Sequence, residues 1–257
     1  MLHHVVENPV REGPAPDDRV VLVHGFTQTL RSWDPVVAGL AAHRAVVRVD
    51  LPGHGGSSAL RMRFTEAATV VGETGGAAVY VGYSLGGRLC LRLALDRPDL
   101  VRALVLVSAS PGIDDAAQRA ARRRDDELLA RQLESEGTPD FMERWLQQPM
   151  FAGLHPSAAD RAARDSNPPD GLAAGLRLLG PGAQEPLWDR LAELDMPVLF
   201  VVGEHDTKFG VVADRMAAAV PRPSLARIPG AGHAAHLERP REWTEAVTAF
   251  LDEHQTS

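Results

Sequence analysis

The sequence predicts an α/β domain built on a doubly wound, mostly parallel sheet, with a helical insertion between its strands. Short apolar runs rich in β-branched residues alternate with segments that can form helices, and this alternation stops only between residues 112 and 182. Strands that alternate with helices at this spacing imply βαβ units, whose strands run parallel. With 257 residues and 44% hydrophobic content, the chain is long enough to bury one large core.

The central strands are predicted from apolar runs of similar character. The first, "RVVLVHG" (19–25), is short, β-branched and closed by glycine, which is typical of a strand buried on both faces. The pattern recurs in "AVVRVDLPGHG", "AVYVGYS", "VRALVLVSAS" and "MPVLFVVGEHD". A short strand is expected in "LARIPG", and "LHHVV" near the N terminus is the candidate for an early edge strand.

Residues 112–182 are predicted to form a helical lid. The stretch "DDAAQRAARRRDDELLARQLESEG" is helical and rich in arginine, and "FMERWLQQPMF" and "SNPPDG" follow it. Residues 1–111 and 183–257 would then form the core domain. Active sites of such sheets lie at the carboxyl ends of the strands, so we expect the lid to cover that edge.

The composition excludes several classes of function. A net charge of −7 is unlike the basic field of a nucleic-acid-binding protein. No apolar run reaches the roughly 18 residues of a membrane span, and the N-terminal stretch is too polar for a secretory signal. The single cysteine, Cys90, cannot form an intramolecular disulfide and is interpreted as a packing residue. We therefore expect a cytoplasmic protein that binds neither nucleic acid nor membrane; the oligomeric state stays open.

The stretch "GYSLG" (82–86) fits the pattern G-x-S-x-G and places Ser84 at a candidate catalytic position. It stands between the strand "AVYV" and the helical pattern "LGGRLCLRLALDRP". The glycines permit a tight strand-to-helix turn, which holds the serine in a strained conformation with its hydroxyl exposed above the sheet. A serine that only caps the helix is the alternative. The strand–turn–helix context favours the catalytic interpretation.

An acid and a histidine follow Ser84 in the order expected for a catalytic triad. Asp206 comes directly after a predicted strand, and His233 lies in "IPGAGHAAHLERP" after another. A serine hydroxyl needs an imidazole to take its proton, and the imidazole needs a carboxylate to fix its tautomer. Glu204 is the alternative acid, but Asp206 lies farther out on its loop. We predict a triad of Ser84, Asp206 and His233.

Two backbone amides are predicted to form an oxyanion hole. After the first core strand, "HGF" turns the backbone so that the amide of Phe26 can point toward Ser84, and the amide of Leu85 is the second donor. The remaining polar residues at the strand ends are interpreted as structural: His24, His54, His205 and His236, with Asp50 capping a strand end.

The motifs resemble those of the α/β-hydrolase superfamily. In detail they are similar to the 2-succinyl-6-hydroxy-2,4-cyclohexadiene-1-carboxylate synthases of menaquinone biosynthesis. The similar stretches occur in the same order along the chain: "DLPGHGGS", "GYSLGGR", "QRAARRRD", "WLQQPMF", "RDSN", "GEHDTKF" and "GAGHAAH". The superfamily motifs are shared by many hydrolases, whereas "GYSLGGR" together with "WLQQPMF" is much more selective.

This resemblance implies a small polycarboxylate substrate and a reaction without metal or organic cofactor. The triad would remove a proton, after which pyruvate is eliminated and the cyclohexadiene forms. Arg88, one helical turn beyond Ser84, would bind a substrate carboxylate bidentately. Matching of the motifs assigns the rest of the substrate pocket to Tyr83, Arg122, Trp145 and Arg164.

Structural interpretations of the same residues stay open. Arg88 could be a solvated helix residue, as Arg92 is expected to be, and Arg122 could pair with Asp126 at i, i+4. Trp145 could anchor the lid by apolar burial alone. Lys208, the lone lysine, could orient the Asp206 loop, add positive potential or lie on the surface without a role.

Two other functions are compatible with the sequence. A carboxylesterase, lactonase or C–C bond hydrolase would use the same triad through an acyl-enzyme, although lid arginines are unfavourable for neutral esters because a buried unpaired guanidinium is costly. A catalytically inactive binding protein on this fold is the other, and the intact triad and oxyanion motif argue against it.

Overall fold

The computed structural model describes residues 1–7 and 19–254, and its strands form one sheet. The strands are β1 (His4–Glu7), β2 (Arg19–Val23), β3 (Ala45–Val49), β4 (Ala78–Tyr83), β5 (Val101–Val107), β6 (Val198–Gly203) and β7 (Pro223–Ile228). Their order across the sheet is β1-β3-β2-β4-β5-β6-β7. β1 runs antiparallel to β3, and the other neighbouring pairs are parallel. The predicted fold class, including the early edge strand, is confirmed.

Ten α-helices accompany the sheet in the described ranges. They are α1 (Asp34–Ala41), α2 (Phe64–Gly75), α3 (Leu85–Asp96), α4 (Ala116–Glu136), α5 (Thr138–Leu146), α6 (Ala158–Asp165), α7 (Pro169–Leu179), α8 (Thr207–Ala217), α9 (Ala235–Glu238) and α10 (Pro240–Glu253). No helix in the two described ranges is long and apolar enough to span a membrane.

The strands separate two apolar layers because successive side chains point to opposite faces. Tyr80 of β4 packs in the layer that includes α2, α3 and α8, whereas Val81 packs in the layer with α1 and α10. Both residues are fully buried. This double burial explains why the central strands have near-continuous apolar sequences. Cys90 lies in the first layer, where burial raises the pKa of its thiol.

Along the chain, helices α4 to α7 come between β5 and β6. They form a separate layer with its own small apolar cluster. The N terminus of α7 approaches the loop after β3 so closely that a Cβ on Gly171 would lie 2.6 Å from the carbonyl oxygen of Gly53. Phe26, from the loop after β2, also packs against this cluster. The insertion therefore rests on the loops at the carboxyl edge of the sheet.

Candidate active site

Ser84 occupies the turn between β4 and α3 with a left-handed backbone, φ 49° and ψ −107°. The flanking glycines allow this turn because the backbone is crowded. A Cβ on Gly86 would lie 2.1 Å from the carbonyl oxygen of Val23, and a Cβ on Gly82 would lie 2.5 Å from the Cα of Gly87. The side chain of Ser84 consequently stands above the sheet edge and lines a cavity with a mostly apolar wall.

The structure brings the three predicted triad residues together. His233 Nδ1 lies 2.8 Å from Asp206 Oδ2, and His233 Nε2 lies 3.4 Å from Ser84 Oγ. Asp206 and His233 are buried, and each residue comes from a loop at the end of a different strand. The second distance is long for a hydrogen bond, as is common before a substrate tightens the site. The arrangement allows His233 to take the serine proton while Asp206 stabilises the imidazolium.

A second carboxylate holds the His233 loop. Glu238, at the end of α9, accepts hydrogen bonds from the amides on either side of the histidine, at 2.7 Å from Gly232 and 2.9 Å from Ala234. Sequence reasoning missed this residue, since nothing in "HLERP" states which amides a glutamate will reach. Glu204, the alternative acid, accepts instead from the amide of Gly230 at 2.8 Å.

The predicted oxyanion residues flank the serine. Phe26 and Leu85 both line the cavity beside Ser84, and Leu85 is the first residue of α3, where helix amides and the helix dipole favour an anion. The loop that carries Phe26 is closed by Gln28, whose Oε1 accepts from the amide of Gly25 at 3.0 Å. That the amides of Phe26 and Leu85 donate to an oxyanion stays a prediction.

The cavity above Ser84 has a volume of 290 Å³, which suits a small molecule. It gathers most of the predicted site residues on its wall: Tyr83, Ser84, Arg88, Arg122, Trp145 and His233. Lys208, which is exposed, also lines it, with its Nζ 5.7 Å from the centre of the Phe209 ring.

Arg88 is a buried cation at the wall of this cavity. Its Nη1 donates to Gln184 Oε1 at 2.8 Å and its Nη2 donates to the carbonyl oxygen of Leu179 at 2.7 Å. Within the described ranges no carboxylate forms an ion pair with it. Burial, together with the nearby charge of Arg122, lowers the pKa of Arg88 to about 9. Arg88 is therefore no solvated helix residue. The Asp126 carboxylate, which pairs with Arg122, acts on the charge of Arg88 only from beyond ion-pair distance.

Arg122 combines both interpretations made for it. Its Nε donates to Asp126 Oδ1 at 2.7 Å, which is the i, i+4 pair that the sequence allowed. The other oxygen of Asp126 accepts from the amide of Gly182 at 3.2 Å. About a third of the Arg122 side chain is exposed, and it faces the cavity that Arg88 also lines.

Arg164, assigned to the substrate pocket by resemblance, is not among the residues that line this cavity. It is fully buried behind the loop that carries Phe26, where its Nε donates to Asp160 Oδ2 at 2.7 Å and its Nη1 to Thr27 Oγ1 at 3.0 Å. A contact between Arg164 and a substrate therefore stays a prediction, because the guanidinium does not reach the cavity in this structure.

Aromatic rings form part of the cavity wall, among them those of Phe26, Trp145 and Tyr83. The centre of the Trp145 ring lies 5.3 Å from that of Phe26 and 5.6 Å from that of Phe141, so the tryptophan does anchor the lid by packing. Its Nε1 is buried and has no hydrogen-bond partner among the residues that the structure describes. Tyr83 packs beside His233 with 5.3 Å between ring centres, and burial raises the pKa of its hydroxyl.

Three of the four histidines interpreted as structural, His24, His54 and His236, are fully buried, whereas His205 is exposed. His24 Nε2 accepts from the amide of Leu51 at 3.1 Å, and His54 Nε2 accepts from the amide of Thr27 at 3.3 Å. Burial lowers the pKa of His54 to about 3 and that of His236 likewise to about 3. These rings are neutral packing elements.

One further site residue went unnoticed in the sequence. Ser108 follows β5 with a left-handed φ of 46°, lines the cavity and is fully buried. Within residues 1–7 and 19–254 its Oγ has no hydrogen-bond partner. The signal available was only its place at the end of an apolar strand. No cluster of His, Cys, Asp or Glu in the described ranges is arranged to hold a metal ion.

Residues 20–247 match the Alpha/beta hydrolase family. The chain belongs to the alpha/beta hydrolase family. Within this family its similarity extends over whole chains. It is 34% identical over 260 residues to the 2-succinyl-6-hydroxy-2,4-cyclohexadiene-1-carboxylate synthase of Salmonella paratyphi C, covering 98% of this chain and 99% of that protein. The synthase of the same name from Enterobacter sp. is 33% identical over 257 residues, 96% of this chain and 95% of that protein.

A solved structure of an alpha/beta hydrolase gives the same result. The structure of MenH from S. aureus superposes with a TM-score of 0.93 over 100% of both chains, at 30% sequence identity. The resemblance noted in the sequence is confirmed.

Proposed function

We propose that this alpha/beta hydrolase is a 2-succinyl-6-hydroxy-2,4-cyclohexadiene-1-carboxylate synthase of menaquinone biosynthesis. It would act as a lyase that eliminates pyruvate from 2-succinyl-5-enolpyruvyl-6-hydroxy-3-cyclohexene-1-carboxylate. Relatives of this name match nearly the whole chain, and the site holds a triad, a small cavity and an unpaired buried cation.

The difference between substrate and product defines what the site must do. A ring proton leaves C2, next to the succinyl carbonyl, and a C2–C3 double bond forms. The C3–C4 double bond moves to C4–C5, and the C5–O bond to the enolpyruvyl group breaks. The departing enolpyruvate takes up a proton and becomes pyruvate, so that neither water nor a redox partner is consumed.

The residues of the site can carry out these steps. His233 takes the proton of the Ser84 hydroxyl, and the serine oxygen in turn removes the C2 proton, while Asp206 stabilises the imidazolium. Removal of that proton places negative charge on the succinyl carbonyl oxygen. The amides of Phe26 and Leu85 would donate to this oxygen, which lowers the barrier.

The unpaired charge of Arg88 is the observation that carries the proposal. A buried guanidinium whose partners are neutral is costly unless an anion joins it. It lies on the cavity wall with Arg122, and both face the space above Ser84. A substrate with several carboxylates supplies the missing charge, whereas a neutral ester leaves Arg88 uncompensated. A small polycarboxylate substrate and a cytoplasmic location belong to the same proposal.

The test follows pyruvate release from the enolpyruvyl precursor beside hydrolysis of a panel of p-nitrophenyl esters. We expect pyruvate release by the unaltered chain and none by Ser84→Ala. A protein that hydrolyses esters but releases no pyruvate would be a hydrolase with the same triad. A protein that turns over neither substrate, although folded, would be a binding protein.

A further inference from the structure

Thr27, the residue directly after Phe26, adopts a left-handed backbone with φ 69°. Such a conformation is rare for a β-branched residue, and it persists only where the surroundings determine it. Rotation of this residue toward an ordinary φ would turn the Phe26–Thr27 peptide and displace Phe26, whose own N–H lies in the preceding peptide, relative to the rest of the loop. The orientation of the loop beside Ser84 therefore depends on whatever holds Thr27.

Every polar atom of Thr27 has a partner. Its amide donates to His54 Nε2 at 3.3 Å, its Oγ1 accepts from Arg164 Nη1 at 3.0 Å, and its carbonyl oxygen accepts from Asn167 Nδ2 at 3.0 Å. Thr27, Arg164 and Asn167 are all buried. Two of the three partners belong to the lid, at the end of α6 and in the turn before α7.

Asn167 links the lid to two loops of the core. Besides its bond to Thr27, its Oδ1 accepts from the amide of Gly55 at 2.8 Å, and its own carbonyl oxygen accepts from Thr138 Oγ1 at 2.6 Å. The loops after β2 and β3 are thus joined through one buried amide side chain. Because both halves of that amide are used, an asparagine fits here and a carboxylate does not.

We propose that Asn167 is a positioning residue, which, with Arg164, locks Thr27 in its left-handed conformation and so sets the Phe26 amide for the developing oxyanion. The lid then does more than cover the cavity: its docking completes the oxyanion hole. This inference rests on the proposed function, in which Phe26 is a donor. It gives Arg164 a role through Thr27 that requires no contact with substrate.

The test compares Asn167→Asp with Ser166→Ala. The aspartate keeps an acceptor for Gly55 but loses the donor to Thr27 and places a carboxylate against a carbonyl oxygen. Ser166 is the matched control, because it is the neighbouring residue, is exposed, and its hydroxyl donates to the carbonyl oxygen of Ala163 within the lid at 2.8 Å.

Loss of a whole oxyanion donor costs roughly 100- to 1000-fold in kcat, so a displaced donor should cost roughly 10- to 100-fold. We expect Asn167→Asp to lower kcat for pyruvate release by that factor, with KM within about two-fold of the unaltered chain. Phenylboronic acid, which forms a tetrahedral adduct on serine, should bind more weakly by a similar factor. Ser166→Ala should leave all three quantities unchanged.

A structural role alone would lower the melting temperature without this selective loss of kcat and boronate affinity. The inference is overturned if folded Asn167→Asp has the same kcat and the same boronate affinity as Ser166→Ala. It is also overturned if KM and kcat change together while the boronate affinity is unaltered. Failure of the proposed function would look different, because the unaltered chain would then release no pyruvate at all. In that case the boronate and ester measurements still decide whether Asn167 positions the loop.

Discussion

Replacing Arg88 of α3 with methionine removes the guanidinium and keeps an apolar side chain of similar length. Two groups of the guanidinium already donate to Gln184 and Leu179, which leaves other N–H groups for a carboxylate. Charge-assisted hydrogen bonds contribute ~1.5 to 3 kcal/mol each, so the loss of even one corresponds to roughly 10- to 150-fold. We expect kcat/KM for pyruvate release to fall by about 100-fold or more if, as proposed, Arg88 binds a substrate carboxylate through two hydrogen bonds.

Stability should change far less than activity. Without Arg88, the acceptors on Gln184 and Leu179 lose a donor, while an uncompensated buried charge disappears, and these effects oppose each other. Melting curves should therefore stay within about 5 °C of the unaltered protein. Arg88→Lys keeps a charge but not the planar fork, and should recover only part of the activity.

The assay measures each variant on the anionic precursor and on a small neutral p-nitrophenyl ester. The ester rate should fall only slightly, because Ser84 and His233 keep their places. Arg92→Met is the matched control, since Arg92 lies one turn farther along α3 and pairs with Asp96 outside the cavity. Equal losses on the two substrates in Arg88→Met would show that Arg88 supports the turn at Ser84, and the reasoning about substrate charge would be refuted.

Three further outcomes are expected. Alanine at Ser84, Asp206 or His233 should each lower kcat by several powers of ten, and double variants should cost little more because the residues act as a unit; strictly additive losses in steady-state kinetics would contradict the triad. Quenched samples analysed by intact-protein mass spectrometry should show no substrate adduct on Ser84, whereas a trapped acyl-enzyme would favour hydrolysis. Burial lowers the pKa of His236 from 6.5 to about 3, so the unfolded chain binds the extra proton between these values and stability falls as the pH falls. From pH 8 to pH 5 this contributes a loss of ~2 kcal/mol, which His236→Phe should not show in urea unfolding; an unchanged pH slope in the variant would sink the explanation.

Hydrophobic periodicity and turn residues were sufficient to predict the fold class and the order of Ser84, Asp206 and His233 along the chain. Strands buried on both faces have apolar sequences that stand out, as Val81 and its neighbours in β4 illustrate. The crowded turn at Ser84 admits few residues beside it, so its glycines are visible in the sequence. Asp206 was preferred over Glu204 from distance along the loop alone, and the structure places Asp206 against His233.

The supporting hydrogen bonds were out of reach for sequence reasoning. Gln184 meets Arg88 across 96 positions, and Asn167 meets Thr27 across 140, and no local pattern encodes such partners. Arg164 shows the converse problem. Its motif indicated a place near the substrate, but the end of α6 directs its guanidinium to the side chains of Thr27 and Asp160.

In the described ranges, the non-glycine residues with left-handed φ are Thr27, Ser84 and Ser108. Each follows a strand end, and Ser84 and Ser108 border the cavity itself. The conformational strain of the fold is thus concentrated around its chemistry, where glycine would relax the backbone. Glycine or consensus replacements should therefore raise the stability of the folded chain most readily at the positions where catalytic activity is most sensitive to substitution. An engineer who wants a more stable catalyst would do better to leave these loops alone and change exposed helix positions that do not line the cavity, such as Arg241 and Glu245 of α10.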